Sequence, residues 1–63
     1  MNAIKKTLFL NGLKKFSDKL DKKDLEFVAR ITSDPDFDRL MGKVTDGDFI
    51  AEAVRGELSK KMA

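Results

Sequence analysis

The sequence predicts an all-α protein: a compact bundle of three to four short helices, forming a single small helical domain over residues 1–63. Apolar residues recur at intervals of three and four, which is typical of helices that pack one face on a core. β-branched residues are few and nowhere alternate with polar residues, so strands are not predicted. Capping residues separate the apolar runs and indicate helices at about residues 3–19, 22–32, 35–43 and 46–60.

The small size of the chain limits how it can be stabilised. A chain of 63 residues buries only about 60% of the surface that it exposes when unfolded. Cysteine and histidine are both absent, which rules out disulfides and a structural zinc site of the usual kind. We therefore expect well-packed helices or oligomerisation, and a homodimer in which two chains share one core is an alternative that the sequence leaves open.

The first helix is expected to begin after Asn2, whose side chain suits an N-cap. Its expected inner face is a stripe of apolar residues at spacings of four, three and four: Phe9, Leu13, Phe16 and Leu20. Ile4 and Leu8 lie well away from this stripe on the helix surface. Gly12 lies in the helix interior, where glycine costs about 1 kcal/mol, and marks either a close helix crossing or a weak point.

The second helix is expected after Asp21, which can cap it while Asp24 occupies the third helical position. Its apolar residues spread round most of the circumference: Leu25, Phe27, Val28, Ala29 and Ile31. A helix that is apolar over so wide an arc is normally surrounded by others. The sequence therefore predicts that the second helix is the central one.

The third helix is expected to be short and to begin at Pro35. Asp34 precedes a proline, which favours the extended backbone of an N-cap, and Pro35 fits the first helical position. Asp36 then lies in the first turn, where the helix dipole favours an anion. The expected inner residues are spaced at i, i+3, i+4 and i+7: Phe37, Leu40, Met41 and Val44.

The fourth helix is expected to be capped by Thr45, with Asp48 three residues further on. Its expected inner face consists of five apolar residues: Phe49, Ile50, Ala53, Val54 and Leu58. Lys60 and Lys61 suit the negative end of its dipole. Glu57 lies beside the inner face, as expected of a boundary residue or of a contact to another chain.

The acidic stretch at residues 34–48 has aspartates at alternate positions, as a calcium loop of the EF-hand type does, but such a loop also needs glycine at position 6 and glutamate at position 12. A loop that starts at Asp34 has Arg39 and Thr45 at these positions, and a loop that starts at Asp46 has Ala51 at position 6. Helix capping explains the same aspartates, so we predict no metal site and no cofactor.

The charges are unevenly distributed along the chain. Residues 1–23 carry a net charge of +5 and residues 24–52 a net charge of −5. A basic first helix can bind phosphate, and the candidate residues are Lys5, Lys6, Lys14, Lys15, Lys19, Lys22 and Lys23. No arginine supports them with bidentate contacts. The third helix would bring aspartates towards DNA in a helix-turn-helix arrangement, which is unfavourable.

Catalysis and membrane insertion are both disfavoured. The chain lacks histidine, cysteine and tyrosine, and Ser17, Ser33 and Ser59 resemble turn or terminal residues with no plausible catalytic base, so we do not expect an enzyme. The apolar run at residues 7–13 is too short and too polar for a signal core or a membrane span. We therefore expect a cytoplasmic protein.

The leading functional hypothesis is a non-catalytic protein-interaction module, such as a small helical adaptor, inhibitor or regulator. Ile4 and Leu8 are apolar outside the main stripe, and Glu57 is charged beside an apolar face, which suggests contacts to a protein partner or to a second copy. The alternative is weak, sequence-tolerant nucleic-acid binding through the lysine-rich first helix.

Overall fold

The computed structural model describes residues 1–62, which form four helices: α1 (Ala3–Asp18), α2 (Lys22–Ser33), α3 (Pro35–Met41) and α4 (Gly47–Met62). No strand occurs among these residues, so the predicted all-α class is confirmed. The helix ends differ by one or two residues from those expected. The largest differences are that α3 ends earlier, at Met41, and that α4 continues to Met62.

Three of the predicted N-caps are confirmed. The side chains of Asn2, Asp21 and Asp34 each accept a hydrogen bond of 2.8 Å from a backbone N–H two or three residues further along. These bonds satisfy N–H groups that have no partner inside the helix. Pro35 occupies the start of α3 as predicted. The caps therefore place the beginnings of α1, α2 and α3.

The start of α4 differs from the prediction. Thr45 is not its cap: the helix begins at Gly47, and Asp46 before it has a left-handed backbone with φ of 59°. This conformation is uncommon outside glycine but is tolerated by aspartate. A Cβ atom at Gly47 would overlap the backbone carbonyl of Met41 at the end of α3. The tight turn between α3 and α4 therefore depends on glycine at this position.

The helix at the centre of the molecule is α4, which packs against all three of the others. The prediction that α2 is central is wrong. Residues of α1 contact residues that lie forty positions later in the chain, on α4, as in the contact between the rings of Phe9 and Phe49, whose centres are 5.9 Å apart. The two helices therefore run parallel. Contact between Thr32 and Arg55 sets the end of α2 beside the middle of α4, and α2 runs antiparallel.

The helices α1 and α2 both pack on α4, and the Cα atoms of the molecule span 31 × 26 × 15 Å. Among the described residues, the only hydrophobic side chains that are buried are Ala51 and Leu58, at 5% and 6% exposure. Phe16, Leu40 and Val44, which were expected on inner faces, are exposed, since so small a bundle encloses little volume.

Arg55 joins the end of α2 to α3 and α4. Its guanidinium donates to the backbone carbonyl of Thr32 at 3.1 and 2.6 Å and to the carboxylate of Asp38 at 2.7 Å. It also lies 5.4 Å from the ring centre of Phe37. The last carbonyls of a helix lack partners inside the helix and favour a cation. One side chain therefore completes α2 and holds α3 in place.

Replacing glycine by alanine at two positions should change stability in opposite directions. Gly47→Ala should lower the free energy of unfolding by about 2–3 kcal/mol, because the added methyl group meets backbone that must move. Gly12→Ala should raise it by about 0.5–1 kcal/mol, since nothing lies within 4 Å of the added atom and alanine favours a helix. Urea denaturation of both variants measures this; a loss at Gly12 would indicate a close crossing there.

Removing the Arg55 guanidinium should destabilise the fold. Arg55→Met keeps much of the side chain's length but leaves the Thr32 carbonyl without its donor, and hydrogen bonds to charged groups are worth about 1.5–3 kcal/mol. Arg39→Met is the matched control, because within residues 1–62 Arg39 forms an ion pair only with the exposed Asp36 on the same helix, a pair worth about 0.5 kcal/mol or less. Equal denaturation midpoints for the two variants would show that the Arg55 contacts stabilise the fold no more than the exposed ion pair of Arg39 does.

Candidate interaction surface

The face of the molecule between α1 and α2 contains an apolar groove whose floor is α4. At its centre lies a recess of about 180 Å³. Residues of all three helices line it: Leu13, Phe16, Ser17, Leu20, Val28, Val54, Glu57 and Leu58. We refer to this feature as the α1/α2 groove. It exists because α1 and α2 both pack on α4 and not closely on each other.

The edges of the α1/α2 groove carry large apolar side chains that the fold leaves exposed. Phe16, on the α1 edge, is 57% exposed. On α2, Val28 lines the groove while Ala29 and Thr32 face the other side of α4. Going round α2 from Ala29 and Thr32 to Val28 and then further in that direction, the next apolar residues are Ile31 and Phe27. Both are exposed and lie at the outer α2 edge. Large apolar side chains exposed near an apolar recess are typical of interaction sites.

The apolar periodicity of the sequence predicts that Phe16, Phe27 and Ile31 are buried, but in the structure all three are exposed. Their spacing is compatible with burial, and nothing in the periodicity of α1 distinguishes Phe16 from Leu13. For α2 there was a signal: its apolar arc is wider than one packed face requires. The excess part of that arc, Phe27 and Ile31, is the part that remains exposed.

The predicted partner-binding residues Ile4 and Leu8 lie on the outer side of α1. Ile4 is 73% exposed and Leu8 is 65% exposed. Together with Ala3 and Thr7 they form a shallow, open apolar patch. By helical position this patch faces away from α4. It is therefore a second apolar surface, separate from the recess of the α1/α2 groove.

Glu57, the third predicted contact residue, lies in the recess of the groove. Its carboxylate is 3.4 Å from the hydroxyl of Ser17, which also lies 2.9 Å from the carbonyl of Lys14. A hydroxyl has one hydrogen to donate, and 2.9 Å is the normal length, so the bond goes to Lys14. The Glu57 carboxylate thus has acceptor capacity left inside an apolar recess. The structure does not bring it near Ile4 or Leu8.

The seven lysines of the first 23 residues are all exposed, and none forms an ion pair within residues 1–62. Lys6 lies 5.0 Å from the ring centre of Phe49, a cation–π contact with α4. Those on α1 encircle the helix: Lys14 projects from the side opposite to the groove, whereas Lys5 lies towards the groove. The lysines therefore form no single stripe along which a phosphate backbone could run.

The acidic stretch gives α3 its cap and its first turn. Asp46, at the following turn, accepts a hydrogen bond from the N-terminal ammonium group, and this bond lowers the pKa of the Asp46 carboxyl from its ordinary value. Within residues 1–62 the acidic side chains form no group of three that could hold a metal ion.

A larger recess of about 490 Å³ lies on the other side of α2. Arg55 and Thr32 are among the residues that line it, with Met62 at its end. Two of its polar groups are already engaged with each other, since the Arg55 guanidinium donates to the Thr32 carbonyl. This recess therefore offers a ligand fewer free polar groups than its size suggests.

Comparison with known proteins gives no match: no protein-family model fits the chain, and no curated protein or solved structure is significantly similar to it. Within residues 1–62, no helix has both the length and the apolar character needed to cross a lipid bilayer. The geometry of the surface itself is therefore what supports a function.

Proposed function

We propose that this protein is a non-catalytic protein-interaction module, which works as an adaptor, inhibitor or regulator by presenting apolar surface to a partner. The observation that carries the proposal is the α1/α2 groove with its exposed edge residues, Phe16, Phe27 and Ile31. The chain has few buried side chains, so burying these three large apolar residues would stabilise the fold. Because they stay exposed, the fold lacks that contribution.

The energy available at these positions is large compared with the stability of the fold. Full burial of one such side chain contributes about 1.5–3 kcal/mol, whereas a domain of this size has a total stability of about 3–9 kcal/mol. A partner that covers the groove can therefore gain a free energy comparable to that of folding. The outer α1 patch at Ile4 and Leu8 extends the apolar surface available to such a partner.

The chemistry of the groove supports binding and not catalysis. Among residues 1–62, the polar side chains that line its central recess are those of Ser17 and Glu57. The Ser17 hydroxyl is engaged with the Lys14 carbonyl, and its 3.4 Å separation from Glu57 is long for transfer of a proton to a base. The sequence supplies no histidine, cysteine or tyrosine to complete a reactive set.

Site-specific photo-cross-linking tests the proposal. A benzophenone side chain at position 16 or position 8 should give protein adducts in an extract of the native cells, and the adducts should resist nuclease. The control is position 52, because Glu52 is exposed on the side of α4 away from the groove. Adducts only with nucleic acid, or equal adducts from all three positions, would contradict an interaction function at this surface.

The outer α1 patch can be tested separately with the double variant Ile4→Asp/Leu8→Asp. Its unfolding midpoint should equal that of the original chain, because both side chains are mostly exposed. Recovery of the partner cross-linked at position 16 should fall by about tenfold, which corresponds to about 1.4 kcal/mol of binding free energy. Unchanged recovery would remove Ile4 and Leu8 from the binding surface.

Nucleic-acid binding is the alternative, and the exposure of all seven N-terminal lysines without ion pairs favours it. We expect no binding to duplex DNA or RNA in fluorescence anisotropy at about 50 mM salt, because the lysines encircle α1. Affinity that falls steeply with salt, and that the triple variant Lys14→Gln/Lys15→Gln/Lys19→Gln abolishes, would replace the interaction function with this alternative.

A further inference from the structure

We propose that the outer side of α1 binds the surface of a lipid bilayer that contains anionic headgroups. The inference goes beyond the proposed interaction function, because it gives this side of α1 a lipid partner, which can be bound while the α1/α2 groove stays open. It combines three properties of the surface: two exposed apolar side chains, four lysines around them, and the engagement of the nearby acidic side chains with other cations.

The apolar patch on α1 faces away from the rest of the molecule. Ile4 is 73% exposed and Leu8 is 65% exposed. At 3.6 residues per turn, they lie about 180° and 140° round the helix from Leu13, which lines the recess of the groove. Lys15 falls between them in angle. We call the side of α1 centred on Ile4, Leu8 and Lys15 the outer α1 face.

Four lysines lie on or beside the outer α1 face. Lys15 is at its centre, and Lys19 follows one turn later. Lys5 and Lys14 lie about 80° and 100° to either side, and a lysine stem can lie along the helix while its ammonium group extends to a lipid headgroup. All four are exposed, and none forms an ion pair within residues 1–62.

The acidic groups near α1 are engaged elsewhere and leave the positive charge of this face uncompensated. Asp18 is the one acidic residue of α1, and it forms an ion pair with Lys61 of α4. Asp46, near the start of α1, binds the N-terminal ammonium group. The outer α1 face therefore complements a surface of negative charge, such as a bilayer with anionic headgroups.

The apolar patch favours a lipid surface over a nucleic acid or an acidic protein. Phosphate contacts alone supply most of the affinity for nucleic acid, so Ile4 and Leu8 would contribute little there. The patch is shallow and open, and it offers no recess for a protein side chain. A helix on a bilayer instead buries its apolar side chains about 5–10 Å deep, where headgroups and acyl chains meet.

A second copy of this chain does not suit the outer α1 face. In a symmetric dimer the same surface meets itself, which would bring the lysines of both α1 helices together. The acidic residue of α1, Asp18, is already paired with Lys61, so it does not offset them. Like charges that face each other across an interface are unfavourable.

The two parts of the surface should act together. A single weak apolar anchor gives only marginal membrane binding, and a basic patch beside it strengthens the binding to anionic lipids. Two aliphatic side chains are such a weak anchor. We therefore expect binding that requires both the apolar patch and the negative charge of the lipid.

Sedimentation with lipid vesicles tests the partner chemistry. Phosphatidylcholine vesicles with about 30% phosphatidylserine should bind half of the protein at about 0.1–1 mM lipid. Vesicles of phosphatidylcholine alone should bind at least about tenfold more weakly, and raising the salt from about 50 mM to about 500 mM should weaken binding to the anionic vesicles by about tenfold or more. Equal binding to both kinds of vesicle, or no binding to the anionic ones at about 5 mM lipid, would overturn the proposal.

Matched variants locate the site. Leu8→Ala should weaken binding to the anionic vesicles by about fivefold to tenfold, whereas Leu40→Ala should leave it unchanged, because Leu40 has a similar exposure of 59% but lies on α3. Lys15→Gln should weaken binding by about fivefold. Lys6→Gln removes the same charge from the opposite side of α1, beside Phe49, and should change binding by less than about twofold. Equal effects within either pair would refute the outer α1 face as the binding surface.

The urea midpoints of the Leu8→Ala and Lys15→Gln variants should equal that of the original chain, since both side chains are mostly exposed. In NMR spectra the amides of Ile4, Leu8 and Lys15 should broaden most when anionic vesicles are added. Broadening centred on Phe27 and Ile31 would move the lipid contact to the α1/α2 groove and overturn the proposal.

Further outcomes separate this inference from other anionic partners and from the proposed function. Binding of poly-glutamate or duplex RNA in the absence of vesicle binding would assign the lysines to an acidic protein or a nucleic acid and refute the lipid. Vesicles contain no protein, so failure to bind them leaves the interaction function at the α1/α2 groove intact. Absence of protein cross-links at position 16 would refute that function and leave vesicle binding unaffected.

Discussion

The packing of α4 against the other three helices is the constraint on which the rest of the structure depends. α1 lies parallel to it on one side, α2 lies antiparallel on another, and α3 packs near its beginning. The residues that α4 uses are small or carefully placed: Gly47 meets the end of α3, Ala51 is buried, Arg55 binds the end of α2, and Leu58 closes the centre. A change at any of these positions alters how more than one helix is held.

Parts of this fold were predictable because they follow local rules. A cap requires a short polar side chain at one position and free N–H groups just after it, and both conditions are visible in the sequence at Asn2, Asp21 and Asp34. The start of α4 obeys a different rule. It is set by the close approach of two backbones at Gly47, which is a tertiary contact, so the local capping pattern at Thr45 pointed to the wrong residue.

The identity of the central helix was not predictable from apolar periodicity. α2 has the wider apolar arc, but part of that arc, Phe27 and Ile31, faces solvent. The small residues Gly47 and Ala51 of α4 are buried, and α4 is central because its neighbours approach it closely at such positions. The apolar content of a helix indicates how much free energy its burial could contribute. It does not indicate whether another helix of the same chain covers that surface.

The candidate site was partly predictable for the same reason: Ile4 and Leu8 lie off the stripe, whereas Phe16 lies on it and is exposed all the same.

At the exposed residues of the groove, the stability of the fold and the proposed binding depend on different parts of the side-chain surface. In a closed bundle the largest apolar side chains carry both the core and any adjoining interface, so a truncation that weakens binding also unfolds the protein. Here Phe16 is more than half exposed, so the fold uses only part of the roughly 1.5–3 kcal/mol that its burial can supply. The remainder is available only if another layer covers the groove. The arrangement of three helices around α4 therefore leaves apolar surface on Phe16, Phe27 and Ile31 that the chain itself does not cover.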